Sequence, residues 1–151
     1  MTSTRRRPAT DPGLQARRLA MLALFEEEFR PEQALPALER LATEKGLRRE
    51  TADRARALVE GVIQHRSEID AEIARLAPAI PVSELGRVER TILRSAMYEV
   101  LYSAATPDGE TIHDAVSLAR TYAGDAARRL VNGVLGSVAR STGSGASGRG
   151  A

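Results

Sequence analysis

The chain has 151 residues, no cysteine and a formal net charge of +2. The absence of cysteine excludes disulfides, thiolate nucleophiles and cysteine-bound zinc, and the length suits one domain with its own core. No apolar run approaches the roughly 20 residues that span a bilayer, and no apolar stretch of a secretory signal follows the basic N-terminus, so we expect a cytoplasmic protein.

Charge is distributed unevenly along the chain. Residues 1–18 hold five arginines and one aspartate, and residues 125–151 hold four arginines and one aspartate, whereas residues 19–124 carry a net charge of −5. Basic ends predict an anionic partner, and the acidic middle predicts a different one. The alternative is that the basic ends are solvated and bind nothing.

The apolar residues recur with a helical period from about residue 13 to residue 140. Residues 1–12 are predicted as a flexible basic arm, and the Gly/Ser-rich residues 141–151 as a disordered tail. In the first half of the chain, the apolar stripes predict one helix from Leu14 to Phe29 and a second that begins at Pro31 or Pro36 and ends at Gly46.

A third predicted helix begins at Arg48 and ends at Pro78. We expect a break in it near His65, because Ser67 and Asp70 resemble a capping box.

The second half predicts three more helices. GRVERTILRSAMYEVLY is apolar around most of its girth, as central helices are, and ETIHDAVSLARTYA is amphipathic. A last helix begins near Asp125, and no segment alternates as a strand does, so the sequence predicts an all-α fold of six or seven helices. Predicted inward-facing residues are Ile112, Ala115, Val116, Ala119 and Tyr122 on the sixth helix, and Ala127, Val131, Val134, Leu135 and Val138 on the last.

Asn132-Gly133 stands inside the last predicted helix, although Asn-Gly between apolar residues is a strong hairpin signal. A glycine inside a helix costs about 1 kcal/mol relative to alanine. We therefore expect another backbone, or a ligand, to lie close to Gly133.

No catalytic arrangement is apparent in the sequence. There are two histidines, His65 and His113, and no Gly-rich phosphate loop or metal-binding motif. We predict no enzyme activity, no metal and no cofactor.

Two groups of charged residues are candidate sites. Arginines near both ends would form a phosphate-binding surface if the first and last helices begin side by side, unless acidic neighbours pair with them. Glu89 precedes the apolar stripe of the central helix, so it is either paired inside the fold or faces a partner protein. The arginines are Arg5, Arg6 and Arg7 on the arm, Arg17 and Arg18 on the first helix, and Arg128 and Arg129 on the last.

Three motifs in this order resemble the NusB family of bacterial transcription antitermination factors. They are ARRLAMLALFEEE, then GRVERTILRSAMYEVL with the following TPDGETIHDAVSLARTYAG, and finally RRLVNGVLGSVAR. The resemblance implies two helical bundles and a non-enzymatic RNA-binding role. Family members pair with a small-subunit ribosomal protein (NusE), bind the boxA element of ribosomal RNA leader transcripts and hold an antitermination complex on RNA polymerase. Some form homodimers, so a self-dimerising interaction module without RNA binding is the alternative.

The resemblance also assigns roles to residues. Arg17 matches the arginine of the family's RNA-binding N-terminal region, and Glu89 the glutamate on the surface that contacts the ribosomal protein. Phe25 replaces the family's early aromatic and is predicted to face the same partner. The segment near the RNA is matched by Arg128, Arg129, Leu130 and Asn132. Departures from the family pattern are Leu130 in place of the usual Phe, His113 in place of Asn, and the separation of the arm arginines from Arg17 by PATDPGLQA.

Overall fold

The computed structural model describes the backbone of residues 8–103 and 108–150, and the side chains of residues 8–103 and 109–138. Within these ranges the chain is helical and contains no β-strand, which confirms the predicted all-α class. The arm arginines Arg5, Arg6 and Arg7 lie outside the described residues. The helices are α1 (Pro12–Glu27), α2 (Ala34–Glu44), α3 (Arg49–Gln64), α4 (Arg66–Leu76), α5 (Arg87–Tyr102), α6 (Asp108–Ala123) and α7 (Asp125–Gly150), with a 3-10 turn at Val82–Glu84.

Several helix ends follow from local chemistry. The Asp11 carboxylate accepts hydrogen bonds from the backbone N–H groups of Gly13 and Leu14 (2.9 and 3.2 Å), which caps α1. The predicted break is confirmed, because His65 separates α3 from α4. The predicted capping box is wrong: no side chain caps α4, and Asp70 instead accepts two hydrogen bonds from Arg94 on α5.

The core consists of two clusters that share α1. The first joins α1 to α2 and α3, and the second joins α4, α5, α6 and α7, with Leu14 and Met21 of α1 included. Nine of the sixteen residues of α1 are buried, so α1 is as central as α5. The five inward residues predicted on α7 are all buried, whereas Tyr122, predicted inward on α6, is 42% exposed, and Phe29, the last residue of the apolar stripe that predicts the first helix, is 58% exposed.

Helix α7 is longer than the sequence predicts. It continues through residues 141–150, where composition predicts a disordered tail.

Two glycines in helix interiors have opposite surroundings. A Cβ on Gly61 of α3 would overlap the ring of Tyr98, which stacks on His65 and Tyr102. A Cβ on Gly133 of α7 would meet nothing within 4 Å. Gly61 is therefore explained by close packing, and the predicted close approach of another backbone to Gly133 is not found among the described residues.

We expect alanine to have opposite effects at these two glycines. Gly133→Ala should raise the free energy of unfolding by about 0.5–1 kcal/mol, since it adds helix propensity without a clash. Gly61→Ala should lower it by about 1–3 kcal/mol, since the methyl group displaces Tyr98. Urea denaturation of both variants measures this. Equal stabilisation by both changes would show that the position of the Tyr98 ring does not require a glycine at residue 61.

Candidate nucleic-acid and partner-protein interface

Arg17, the first residue of the predicted RNA-binding set, is inside the protein. Its side chain is 4% exposed and forms a two-pronged pair with Glu99 of α5, with Nε donating to Oε2 at 2.9 Å and Nη2 to Oε1 at 2.8 Å. Its Nη1 donates to Oδ2 of Asp114 on α6 at 2.7 Å. The two carboxylates are 3% and 1% exposed, so one buried network joins three helices.

The electrostatics of this network keep Arg17 charged. Burial alone would lower the pKa of Arg17, but the hydrogen bonds and charges of Glu99 and Asp114 outweigh burial and raise this pKa above its ordinary value. The Thr111 hydroxyl extends the network by donating to Glu99 at 3.1 Å. A buried guanidinium held by two carboxylates cannot reach a phosphate, so the prediction that Arg17 contacts RNA is wrong.

Arg18, the next residue, has a different environment. It is half-buried and forms no ion pair with a described residue. It lines a depression of about 160 Å³ between α1 and the turn that follows α2, where Lys45 also lies. Of the two adjacent arginines, Arg18 is therefore the one placed for contact with an anion.

The start of α7 presents an exposed face with two arginines. Arg128 is 33% exposed and its Nε donates to Oδ1 of Asp125 at 2.7 Å, while Arg129 is 64% exposed and donates to Oδ2 of the same carboxylate. The hydrogen bond from Arg128 lowers the pKa of Asp125. Exposed pairs of this kind contribute little free energy, so both guanidinium groups are available to a stronger anionic ligand.

Asn132 and Gly133 lie one turn further along α7. Both are exposed, and helical spacing places them on the side of α7 that carries Arg129. Leu130 is half-buried and packs on the second core cluster, so only part of it is accessible. We define Arg129, Asn132 and Gly133 as the α7 face.

The structure does not bring Arg17 together with the arginines of α7. Arg17 bonds to Thr111 and Asp114 in the first two turns of α6, whereas α7 begins beyond Gly124 at the other end of α6. Arg17 is 4% exposed and held by Glu99 and Asp114, whereas Arg129 is 64% exposed and bonded to Asp125. The predicted convergence of the Arg17 and Arg129 guanidinium groups on one exposed surface is therefore wrong.

Glu89, predicted to be either paired inside or open to a partner, has no ion pair with any described residue. It is half-buried in the first turn of α5, and its carboxylate folds back over Gly86, the residue that precedes the helix. A negative charge is favourable at this helix end, so the fold tolerates Glu89 without an arginine. The structure favours the partner-facing alternative.

Phe25, predicted to face the same partner as Glu89, belongs to a separate aromatic patch. Its half-buried ring contacts that of Phe29 edge to face at 5.3 Å, and the Arg87 guanidinium lies 4.6 Å from the Phe29 ring centre. Arg87 and Glu89 are two residues apart, hence roughly 200° apart around α5. Phe25 and Glu89 therefore do not form one continuous patch.

The carboxylate of Glu28, beside this patch, interacts with three arginines. Glu28 receives hydrogen bonds from Arg90 and Arg94, and Arg87 lies 3.9 Å away. Burial alone would raise the pKa of Glu28, but these arginines lower it below its ordinary value. The exposed pair of Phe29 and Arg87 was missed in the sequence because the helical stripe assigned Phe29 to the core.

Comparison with known proteins decides the family. A sequence model of the NusB family matches residues 14–140. The chain belongs to the NusB family. It is 40% identical over 134 residues to the transcription antitermination protein NusB of Symbiobacterium thermophilum, covering 83% of this chain and 88% of that one. It is 32% identical over 140 residues to NusB of Dehalococcoides mccartyi, covering 93% and 92%.

Solved NusB structures have the same fold. T. maritima NusB superposes with a TM-score of 0.79 at 30% identity, over 87% of this chain and 92% of that one. A complex of the antitermination factors NusB and NusE with double-stranded RNA contains a chain that matches with a TM-score of 0.79 at 28% identity, over 86% and 97%. The resemblance stated from the motifs is confirmed, and the chain is a transcription antitermination factor of this family.

Other kinds of site find no support in the part of the chain that the structure describes. None of its helices is long and apolar enough to cross a bilayer. Its histidine, aspartate and glutamate side chains form no cluster of three that could hold a metal ion.

We expect Arg17 and Arg18 to differ sharply when changed. Arg17→Ala should lower the free energy of unfolding by about 3–5 kcal/mol, because it leaves Glu99 and Asp114 buried without their cation. Arg18→Gln should change it by no more than about 0.5 kcal/mol. Thermal and urea unfolding measure both. An Arg17→Ala variant as stable as Arg18→Gln would contradict the buried network.

Proposed function

We propose that this chain is an adaptor that binds boxA-type leader RNA and a small-subunit ribosomal protein, NusE, within the antitermination complex on RNA polymerase during ribosomal RNA transcription. The observation that carries the RNA part is the exposed α7 face, with Arg128 beside it. The solved NusB–NusE complex with RNA supports both partners by likeness of fold.

The chemistry of the α7 face suits an RNA backbone that approaches closely. Gly133 has no neighbour within 4 Å of a Cβ position, so nothing described in the fold offsets its cost of about 1 kcal/mol. A ligand that needs the space above a bare backbone would account for it. Arg128 and Arg129 supply charge for phosphates, and the exposed Asn132 amide can both donate to and accept from a base or a ribose hydroxyl.

The other predicted RNA contacts are included in this proposal for different reasons. Arg18 is included because it is accessible and unpaired among the described residues, and the arm arginines Arg5, Arg6 and Arg7 are included on charge alone. Leu130 would contribute the edge of a half-buried side chain. With only two Phe and three Tyr in the chain, base stacking is limited, and backbone contacts supply most of the affinity.

The partner-protein part of the proposal depends on Glu89 and Phe25. An unpaired carboxylate at the start of α5, in a segment of net charge −5, is complementary to a basic ribosomal protein. Phe25 and the exposed Phe29 would add apolar area, as aromatic anchors do at interfaces. Because the two sites lie on different sides of α5, the partner would have to extend around the start of that helix.

We expect Gly133→Ala to separate folding from RNA binding. The variant should be at least as stable as the wild type, yet bind RNA at least about fivefold more weakly, equivalent to about 1 kcal/mol. The reason is that the methyl group occupies the space that the RNA needs. Fluorescence anisotropy with a labelled boxA-type RNA, with and without the ribosomal protein, measures this.

Gly109→Ala is the matched control, since Gly109 is also an exposed helical glycine with an open Cβ position. An unchanged RNA affinity in Gly133→Ala would refute the α7 face as an RNA contact. If the wild type binds no RNA and light scattering shows a dimer, the self-dimerising alternative replaces this proposal.

We expect Glu89→Lys to weaken binding of the ribosomal protein at least about tenfold without unfolding the chain, because it places a cation against a basic partner. Glu68→Lys is the matched control, since Glu68 occupies the same third position of helix α4 and is exposed. Both variants should lose a similar small stability at a helix N-terminus, about 0.3–1 kcal/mol. Calorimetric titration measures the affinity, and a large stability loss specific to Glu89→Lys would return Glu89 to an internal role.

A further inference from the structure

A groove runs between the N-terminal half of α1 and the turn that joins α2 to α3. Its larger part has a volume of about 400 Å³ and includes Arg48 and Thr51 at the start of α3. The smaller depression of about 160 Å³ that contains Arg18 shares Gln15, Lys45 and Leu47 with it. We define the two together as the basic groove.

Three cations line the basic groove without acidic partners. Neither part has an aspartate or glutamate in its lining, and Arg18, Lys45 and Arg48 form no ion pair with a described residue. Three other arginines of the same bundle are paired with glutamates, Arg40 with Glu26 and both Arg49 and Arg56 with Glu39. Arg30 and Arg54 form no ion pair with a described residue, but they do not line the groove. The groove is therefore a place where positive potential is concentrated in a concave surface, which attracts anions.

The backbone fixes the positions of these cations. Lys45 closes α2, and Gly46 turns the chain in the left-handed region at φ +63°, with the Leu47 N–H donating to the Ala42 carbonyl at 3.0 Å. Arg48 precedes α3, and no side chain caps that helix. The first N–H groups of α3 thus add unsatisfied donors and partial positive charge beside the lining residues Arg48 and Thr51.

We propose that the basic groove binds the phosphodiester backbone of the same single-stranded RNA that the α7 face binds. This inference rests on the proposed function. The lining contains no aromatic ring on which a base could stack, so the contacts are to phosphates and do not depend on base sequence. Thr10 also lines the groove.

The test is a Lys45→Gln/Arg48→Gln double variant in the full chain, with Arg30→Gln/Arg75→Gln as control. The control removes the same charge from exposed residues outside the groove. Anisotropy titrations use a labelled boxA-type RNA and a scrambled RNA across a salt series. The groove variant should reduce the log–log salt slope by about 1.4, or about 0.7 for each lost phosphate contact. Between 50 and 200 mM salt, its affinity should then fall about sevenfold less than that of the wild type.

The outcomes separate the groove from the proposed function. Equal weakening of both RNAs by the groove variant, with little effect of the control, supports the proposal. If the wild type binds RNA and Gly133→Ala weakens it, but the groove variant keeps the wild-type slope, the groove is refuted and the proposed function stands. Weakening of the boxA-type RNA alone would overturn the assignment to phosphates. A wild type that binds neither RNA would overturn both proposals.

Discussion

The arrangement of the helices depends on one buried cation. Arg17 bonds to Glu99 of α5 and Asp114 of α6 from a helix that belongs to both core clusters. Removing charged groups from water is costly, and each member of the network is tolerable only while the others are in place. The pairing therefore accepts only one register of α1 against α5 and α6, and through α6 it also fixes where α7 begins.

This pairing changes the interpretation of the basic N-terminal end. Of the two adjacent arginines on α1, Arg17 is used inside the fold, and only Arg18 remains for a ligand. Elsewhere in the first bundle, carboxylates pair with most arginines, and the cations left unpaired among the described residues include those of the basic groove. A net charge of +2 therefore understates how strongly positive one part of the surface is.

Apolar periodicity and helix-terminating residues predicted the helices, the break at His65, the helix end at Gly46 and the buried side of α7. These features depend on neighbours within a few residues. The burial of Arg17 depends on partners 82 and 97 residues away, which no local pattern specifies. On α1, the apolar stripe does not predict which residues are buried, because other helices cover most sides of α1. The sequence leaves an internal ion pair open for Glu89. On α5 the carboxylate that forms such a pair is that of Glu99, which binds Arg17.

The proposed partner-protein site and the basic groove both include residues of helices that Arg17 holds together. Glu89 and Glu99 lie on the same helix, so the partner-protein site is separated from the buried network by about 15 Å of continuous α5. Phe25 and Arg18 likewise lie on α1, one in the aromatic patch with Phe29 and the other in the basic groove. A substitution that breaks the network should therefore weaken binding of both the partner protein and RNA, whereas a substitution confined to the α7 face or the groove should weaken RNA binding alone. That difference distinguishes a residue that positions the surfaces from one that contacts a ligand, and it places Arg17 in the first class.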